Sequence, residues 1–206
     1  METEKKKVQK RTIESREKIR QAALALFAKK GYYNTNTKEI AKTAGVSVGN
    51  FYNYYKDKGE LYYSLAEEYT EGSAQALNTL SASMCESKNP RQDFADYTYA
   101  QMERADRSGL LFKDCGLIMQ DDEKLRELFH VQTEKTVTII ENMLNGMHGV
   151  KLHASERVTA RLLFRVVDQS TQDILRYKGT EYYEEYLNEF IRMVQVYLFG
   201  EEEEHV

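Results

Sequence analysis

Apolar positions recur at helical spacing along most of this chain, and strand-like alternation is scarce. From about Ser15 to Lys30, the residues Ile19, Ala22, Ala23, Leu26 and Phe27 follow the i, i+3, i+4, i+7, i+8 rule, and Gly31 ends the helix. Two short helices around a tight turn come next. Asn36 and Glu39 stand at capping-box spacing, and Ile40 and Ala41 turn inward. Gly45 supplies a left-handed turn, Val46 plugs it, and Ser47 caps the second piece. Phe51 and Tyr55, four apart, share a buried face.

Asp57 and Glu60 form another capping pair, opening a long helix. Its stripe is Leu61, Leu65, Tyr69, Ser73, Ala76, Leu80 and Met84. Asn89 and Pro90 start the next helix, with Phe94, Tyr97, Met102 and Ala105. Ser108-Gly109 interrupts it, and a short apolar segment runs from Leu110 to Met119. Asp121 or Asp122 caps a helix carrying Leu125, Leu128, Phe129, Ile139, Ile140, Met143 and Leu144, closed by Gly146 and Gly149.

The last two helices differ in kind. Residues from about Ser155 to Tyr177 show two stripes, one of Val158, Leu162, Val166 and Ile174, the other of Leu163, Phe164, Val167 and Leu175. From about Glu181 to Phe199 the chain is apolar or aromatic around most of the cylinder. A surface helix of a monomer needs only one such face. A second copy forming a four-helix bundle is the economical cover, with Val158, Leu162, Val166, Tyr186, Phe190, Met193 and Tyr197 at the interface. The predicted fold is all-α, about nine helices in total: a three-helix head over residues 1–58 and a helical body over 59–206.

Composition agrees with a packed core: 41% hydrophobic, 30% charged and one proline in 206 residues. No apolar run approaches the roughly 20 residues that cross a bilayer, and the N-terminus lacks a secretory core, so no membrane partner is expected. Cys85 and Cys115 are isolated thiols, which suits a reducing cytoplasm; a disulfide or redox pair between them is the minor alternative. The net charge of −4 hides a split. Residues 1–58 hold 14 Lys and Arg against 6 Asp and Glu, and the remainder holds 15 against 27. A basic head on an acidic body suits a nucleic-acid reader with a separate regulatory part. The basic residues within 1–11 read either as a solvated tail or as an arm along phosphates or in a minor groove.

With Phe51 and Tyr55 turned in, Val48, Gly49, Asn50, Tyr52, Asn53 and Tyr54 are left facing outward, with Lys56 and Lys58 at their end. Small residues, amides, phenols and ammonium groups suit a DNA groove. Here the chain resembles the TetR family of transcriptional regulators. The resemblance rests on Ala22-Ala23, Ala25-Leu26-Phe27, Gly31-Tyr32, Thr37 and Ile40-Ala41. It continues through Ala44-Gly45-Val46-Ser47, Gly49-Asn50-Phe51-Tyr52 and Tyr55-Lys56-Asp57-Lys58, about the first quarter of the chain. Asn50 replaces the usual Thr, Gly59 the usual Glu, and Asn53-Tyr54 the frequent Tyr-His, which bears on which operator is read. In this reading Thr37, Tyr52 and Lys58 hold phosphates, Val48, Gly49 and Asn50 face bases, Tyr54 does either, and Ser47, Asn53 and Lys56 complete the surface.

The resemblance implies a homodimer on a near-palindromic double-stranded DNA operator, acting as a repressor, with a small-molecule inducer of unknown identity in the body. Apart from Met1 every methionine lies beyond residue 83, and Met suits pockets for varied apolar shapes. The expected lining is Phe94, Tyr97, Met102, Phe112, Cys115, Met119, Met143 and Phe164, with Gln101, Asp168 or Gln169 as the fixing polar group. The same residues would serve any helical core. An enzyme is not expected. The four histidines lack ligand spacing, and there is no phosphate loop or serine elbow, so no metal or cofactor is expected. The rival is a DNA-binding adaptor or architectural protein whose body recruits a protein.

Overall fold

The structure, a computed structural model, describes residues 2–107, 114–150 and 152–201. Among them the chain is all helical: α1 (Glu2–Lys30), α2 (Thr37–Ala44), α3 (Val48–Tyr52), α4 (Lys58–Glu86), α5 (Pro90–Arg107), α6 (Cys115–Asp121), α7 (Glu123–Gly146), α8 (Glu156–Arg176) and α9 (Tyr182–Phe199). No helix among the described residues is long and apolar enough to cross a membrane.

The expected caps account for most boundaries. Asn36 Oδ1 accepts the Glu39 amide at 3.0 Å, while the Glu39 carboxylate accepts the Asn36 amide at 3.2 Å. Gly45 closes α2 in the left-handed region, at φ 68°. Asp57 caps α4 by accepting the Glu60 amide at 2.8 Å. The Glu60 carboxylate reaches one residue further back than a capping box requires, to the Lys56 amide. Asn89 accepts the Gln92 amide ahead of α5, and Asp122 the Leu125 amide ahead of α7. Helix α1 departs from expectation. It begins at Glu2 rather than near Ser15, so the basic stretch read as a tail or an arm has a helical backbone.

Two compact units emerge. The first is Met1–Tyr69 with Ser108–Glu127; the second is Thr70–Arg107 with Leu128–Val206. The first unit therefore runs past residue 58 and gains α6. Its core is Ile19, Ala23 and Phe27 of α1, Ile40 and Ala41 of α2, Phe51, Tyr55, and Leu61, Tyr62 and Leu65 of α4. The Tyr62 ring meets Phe27 and Tyr32 at 5.7 and 5.1 Å. The Tyr62 phenol bonds the Cys115 thiol, and burial pushes its pKa far above the ordinary value. Asp114 supplies another non-local tie. Its carboxylate accepts the Tyr32 amide at 2.6 Å and lies against Gly31, whose φ is +84°.

In the second unit α9 packs on α5 and α8. Leu187, Phe190, Ile191, Val194 and Leu198 form the buried stripe of α9. Helix α7 is tied to α8 by charge: Arg157 meets Glu134 and Glu141 at 2.6 and 2.9 Å, and Arg161 meets Glu134 at 2.8 Å. These groups are half-exposed, so each pair contributes at most about 1 kcal/mol.

Candidate nucleic-acid interface

The outward surface is built by α2, the turn and α3. Val46 donates its amide to the Ala41 carbonyl at 3.0 Å, which folds the chain back after Gly45. The Ser47 hydroxyl accepts the Asn50 amide at 3.1 Å and so starts α3. Phe51 is wholly buried and Tyr55 nearly so, their rings 5.9 Å apart. Anchoring that face fixes the opposite one. Ser47, Gly49, Tyr52, Asn53 and Lys56 are exposed, and Thr37, Val48, Asn50 and Tyr54 are half-buried.

Gly49 has almost nothing around it: an added Cβ would meet only the Ser47 hydroxyl, at 4.0 Å. The fold itself has room for a side chain here. Tyr52, with half its surface exposed, reaches back to α2, its hydroxyl 3.2 Å from that of Thr37. The two hydroxyls expected on phosphates thus converge on one point.

The Lys58 side chain runs to the turn after α1. Its ammonium donates to the Tyr32 and Thr35 carbonyls at 2.6 and 2.8 Å and sits 4.0 Å from the Tyr32 ring centroid. Desolvation, followed by the charge of Lys30, lowers its pKa. The carbonyl bonds use two of the three N–H groups of the ammonium. The turn after α1 turns both carbonyls toward Lys58; the Tyr32 carbonyl also accepts the Thr35 amide at 3.2 Å. Arg16 and Arg20, on the basic face of α1, are likewise engaged, with Tyr55 and Glu68.

Sequence reasoning missed Asp114 and Tyr32 as partners. They stand 82 residues apart, and no local spacing announces such a bond. The expected pocket residues divide. Phe94, Tyr97, Gln101, Met102, Met143, Phe164 and Asp168 belong to the second unit, whereas Cys115 and Met119 belong to the first; Phe112 lies outside the described residues. Cys115 is buried beside Tyr62. Asp168 keeps accessible surface, yet enough of the chain surrounds it that desolvation raises its pKa, against a lowering by Arg165. Of the expected dimer residues, Val158, Leu162, Val166, Tyr186, Met193 and Tyr197 are exposed. Phe190 is a correction: at 3% exposure it fills the core of its own unit, because it falls on the stripe of α9 that faces inward. Among the described residues no cluster of His, Cys, Asp and Glu could hold a metal ion.

Residues 19–65 match the family model for bacterial regulatory proteins of the tetR family. Over 170 residues the chain is 26% identical to the uncharacterized HTH-type transcriptional regulator YerO of Bacillus subtilis, covering 81% of this chain. The chain spans 57% of that relative's length. Among solved structures, the reduced form of Escherichia coli NemR superposes with a TM-score of 0.70 at 18% identity, over 91% of this chain and 99% of that one. The SmeT–triclosan complex superposes at 0.69 and 18% identity, over 90% and 91%; SmeT is the Stenotrophomonas maltophilia repressor of the multidrug efflux pump SmeDEF.

Proposed function

The chain belongs to the TetR family of helix-turn-helix transcriptional regulators, and from that premise we propose that it is a dimeric repressor which leaves its operator when a small ligand occupies its body. Members of this family are regulators, not enzymes. One observation carries the DNA-binding part. The α3 surface holds an open glycine, an amide and a phenol over a rigid buried anchor, with the Thr37 and Tyr52 hydroxyls 3.2 Å apart at its edge. Such a surface lets the backbone approach base edges while hydroxyls and Lys56 take phosphates.

Support for the dimer comes from α8 and α9. Val158, Leu162 and Val166 repeat every fourth residue and are exposed, beside exposed Tyr182, Tyr186, Met193 and Tyr197 on α9. An apolar face on two neighbouring helices asks for cover, and a second copy offers a self-complementary one. The ligand part draws on SmeT, which shares the fold and whose solved structure is a complex with triclosan. The reading puts the protein in the cytoplasm, where the operator is.

The test compares binding of the purified protein to its own upstream intergenic DNA and to a scrambled duplex at one salt concentration. A preference of about a thousandfold or more is expected for a specific regulator. A ratio near one would favour an adaptor that holds DNA loosely and recruits a protein.

A further inference from the structure

Within the second unit, α4 and α5 meet where polar groups lack partners. Gly72 leaves the α4 backbone bare, and Arg104 of α5 lies over it, its Nη1 3.7 Å from where a Cβ would stand. Nη1 donates to the Gly72 carbonyl. Among the described residues that carbonyl is the only acceptor for this half-buried guanidinium, and no carboxylate pairs with it. The acids nearest in sequence are engaged elsewhere: Glu103 with Arg107, and Asp106 with Lys178. Beside Gly72, the Ser73 hydroxyl oxygen is closed to solvent and has no partner. One turn before Arg104 stands Gln101. Its Nε2 is 2.6 Å from the Tyr97 hydroxyl, and its Oε1 is closed to solvent and unpartnered.

Each such buried polar atom costs about 1–3 kcal/mol. A guanidinium carries five donors, and here one is used. Ser73 follows Gly72, whose carbonyl Arg104 holds, and Gln101 stands three residues before Arg104 on α5, so the unpartnered oxygens flank this contact along both helices.

We propose that this seam takes the carboxylate of an amphipathic organic acid, which makes such acids the ligand class of the body. The regulatory consequence rests on the ligand-released repressor reading; the site itself does not. A carboxylate is acceptor-only and accepts a guanidinium fork in the plane of both groups. It offers Arg104 a counter-charge and the Ser73 hydroxyl an acceptor. Gln101 contributes by turning its amide over. Nε2 then faces the ligand and Oε1 accepts from Tyr97, a change the 2.6 Å separation serves in either sense. The seam must open for this, because both orphan oxygens are closed to solvent, and the bonds gained favour the open form. An alcohol of equal length would meet Ser73 and Gln101 but leave the guanidinium charge unanswered. A cation would meet repulsion from Arg104.

The test uses the full-length protein with sodium decanoate and decan-1-ol as probes, below micelle-forming concentration, by titration calorimetry. Decanoate is expected to bind at least about tenfold tighter than decanol, as a charge-assisted fork demands. R104Q should abolish that preference while leaving decanol binding unchanged. S73A should weaken both probes, yet melt no earlier than the parent, since it removes an orphan hydroxyl; it serves as the second variant if R104Q fails to fold. Equal binding of the two probes, no binding of decanoate, a preference that survives R104Q, or S73A binding decanoate as the parent does would each overturn the proposal. Operator affinity is read separately. Arg104-dependent decanoate binding that leaves operator affinity unmoved supports the site and overturns only the regulatory link.

Discussion

The hydroxyl of Tyr52 stands 3.2 Å from that of Thr37, joining the end of α3 to the start of α2. Two neutral hydroxyls at one point suit a single phosphate oxygen. Y52F and T37A should each weaken operator binding by about 0.5–1.5 kcal/mol, roughly equally across operator sequences. Neither removes a charge, so the slope of log affinity against log salt should hold. K56A should lower that slope by about one. Anisotropy titrations over a range of salt distinguish the two behaviours.

Gly49 gives a test free of folding effects. An added methyl finds open space in the protein, so G49A should leave thermal stability unchanged or raise it by up to about 1 kcal/mol. Operator affinity should nevertheless fall, because the methyl occupies the gap to the bases. Unchanged operator binding by G49A would remove Gly49 from the interface.

Gly31 presents the opposite case. Its φ of +84° disfavours a side chain, and a Cβ would stand 2.6 Å from an Asp114 oxygen. G31A should lose at least about 1–2 kcal/mol. D114A removes the acceptor of the Tyr32 amide and should lose about 1.5–3 kcal/mol, the range for a hydrogen bond to a charged group. Urea denaturation of the two single variants and the double variant measures both, and the pair should be non-additive because the residues touch.

Acid should loosen α2 in a specific way. The hydrogen bond from Lys30, then that from the Asn36 amide, holds the Glu39 carboxyl below its ordinary value of 4.5. A depressed carboxylate pKa stabilises the fold above the unfolded value, and that contribution disappears as pH falls through the folded one. E39Q should therefore flatten the stability–pH curve below pH 4.5 and leave its shape near neutrality unaltered. Circular dichroism melts across that range provide the check.

The exposed and buried faces of the last two helices predict different failures. L162E with M193E should yield a helical monomer by sedimentation, since both side chains lie outside their own unit. F190A should instead cost about 3–5 kcal/mol of stability, because Phe190 is inside it.

Helix starts, the turn at Gly45 and the buried Phe51–Tyr55 face were legible in the sequence, because each is fixed by residues within four positions of one another. Phe190 was misread because α9 is apolar on nearly every side, and periodicity alone does not say which side its own chain covers. The carbonyl contacts of Lys58 were not legible for another reason: a surface lysine and one that closes a turn have the same local neighbours. The bonds from the Tyr32 amide to Asp114 and from Arg104 to the Gly72 carbonyl leave no mark in sequence. They depend on which helices the folded chain sets side by side.

Tyr62 carries an optical consequence. The chain has no tryptophan and 15 tyrosines, so its near-ultraviolet spectrum is largely phenolic. With its ring sealed from solvent and its proton held by burial, Tyr62 should stay un-ionised in alkali while exposed phenols turn to phenolate. Its late absorbance step would then mark when the interior of the first unit comes apart, a built-in chromophore that needs no label.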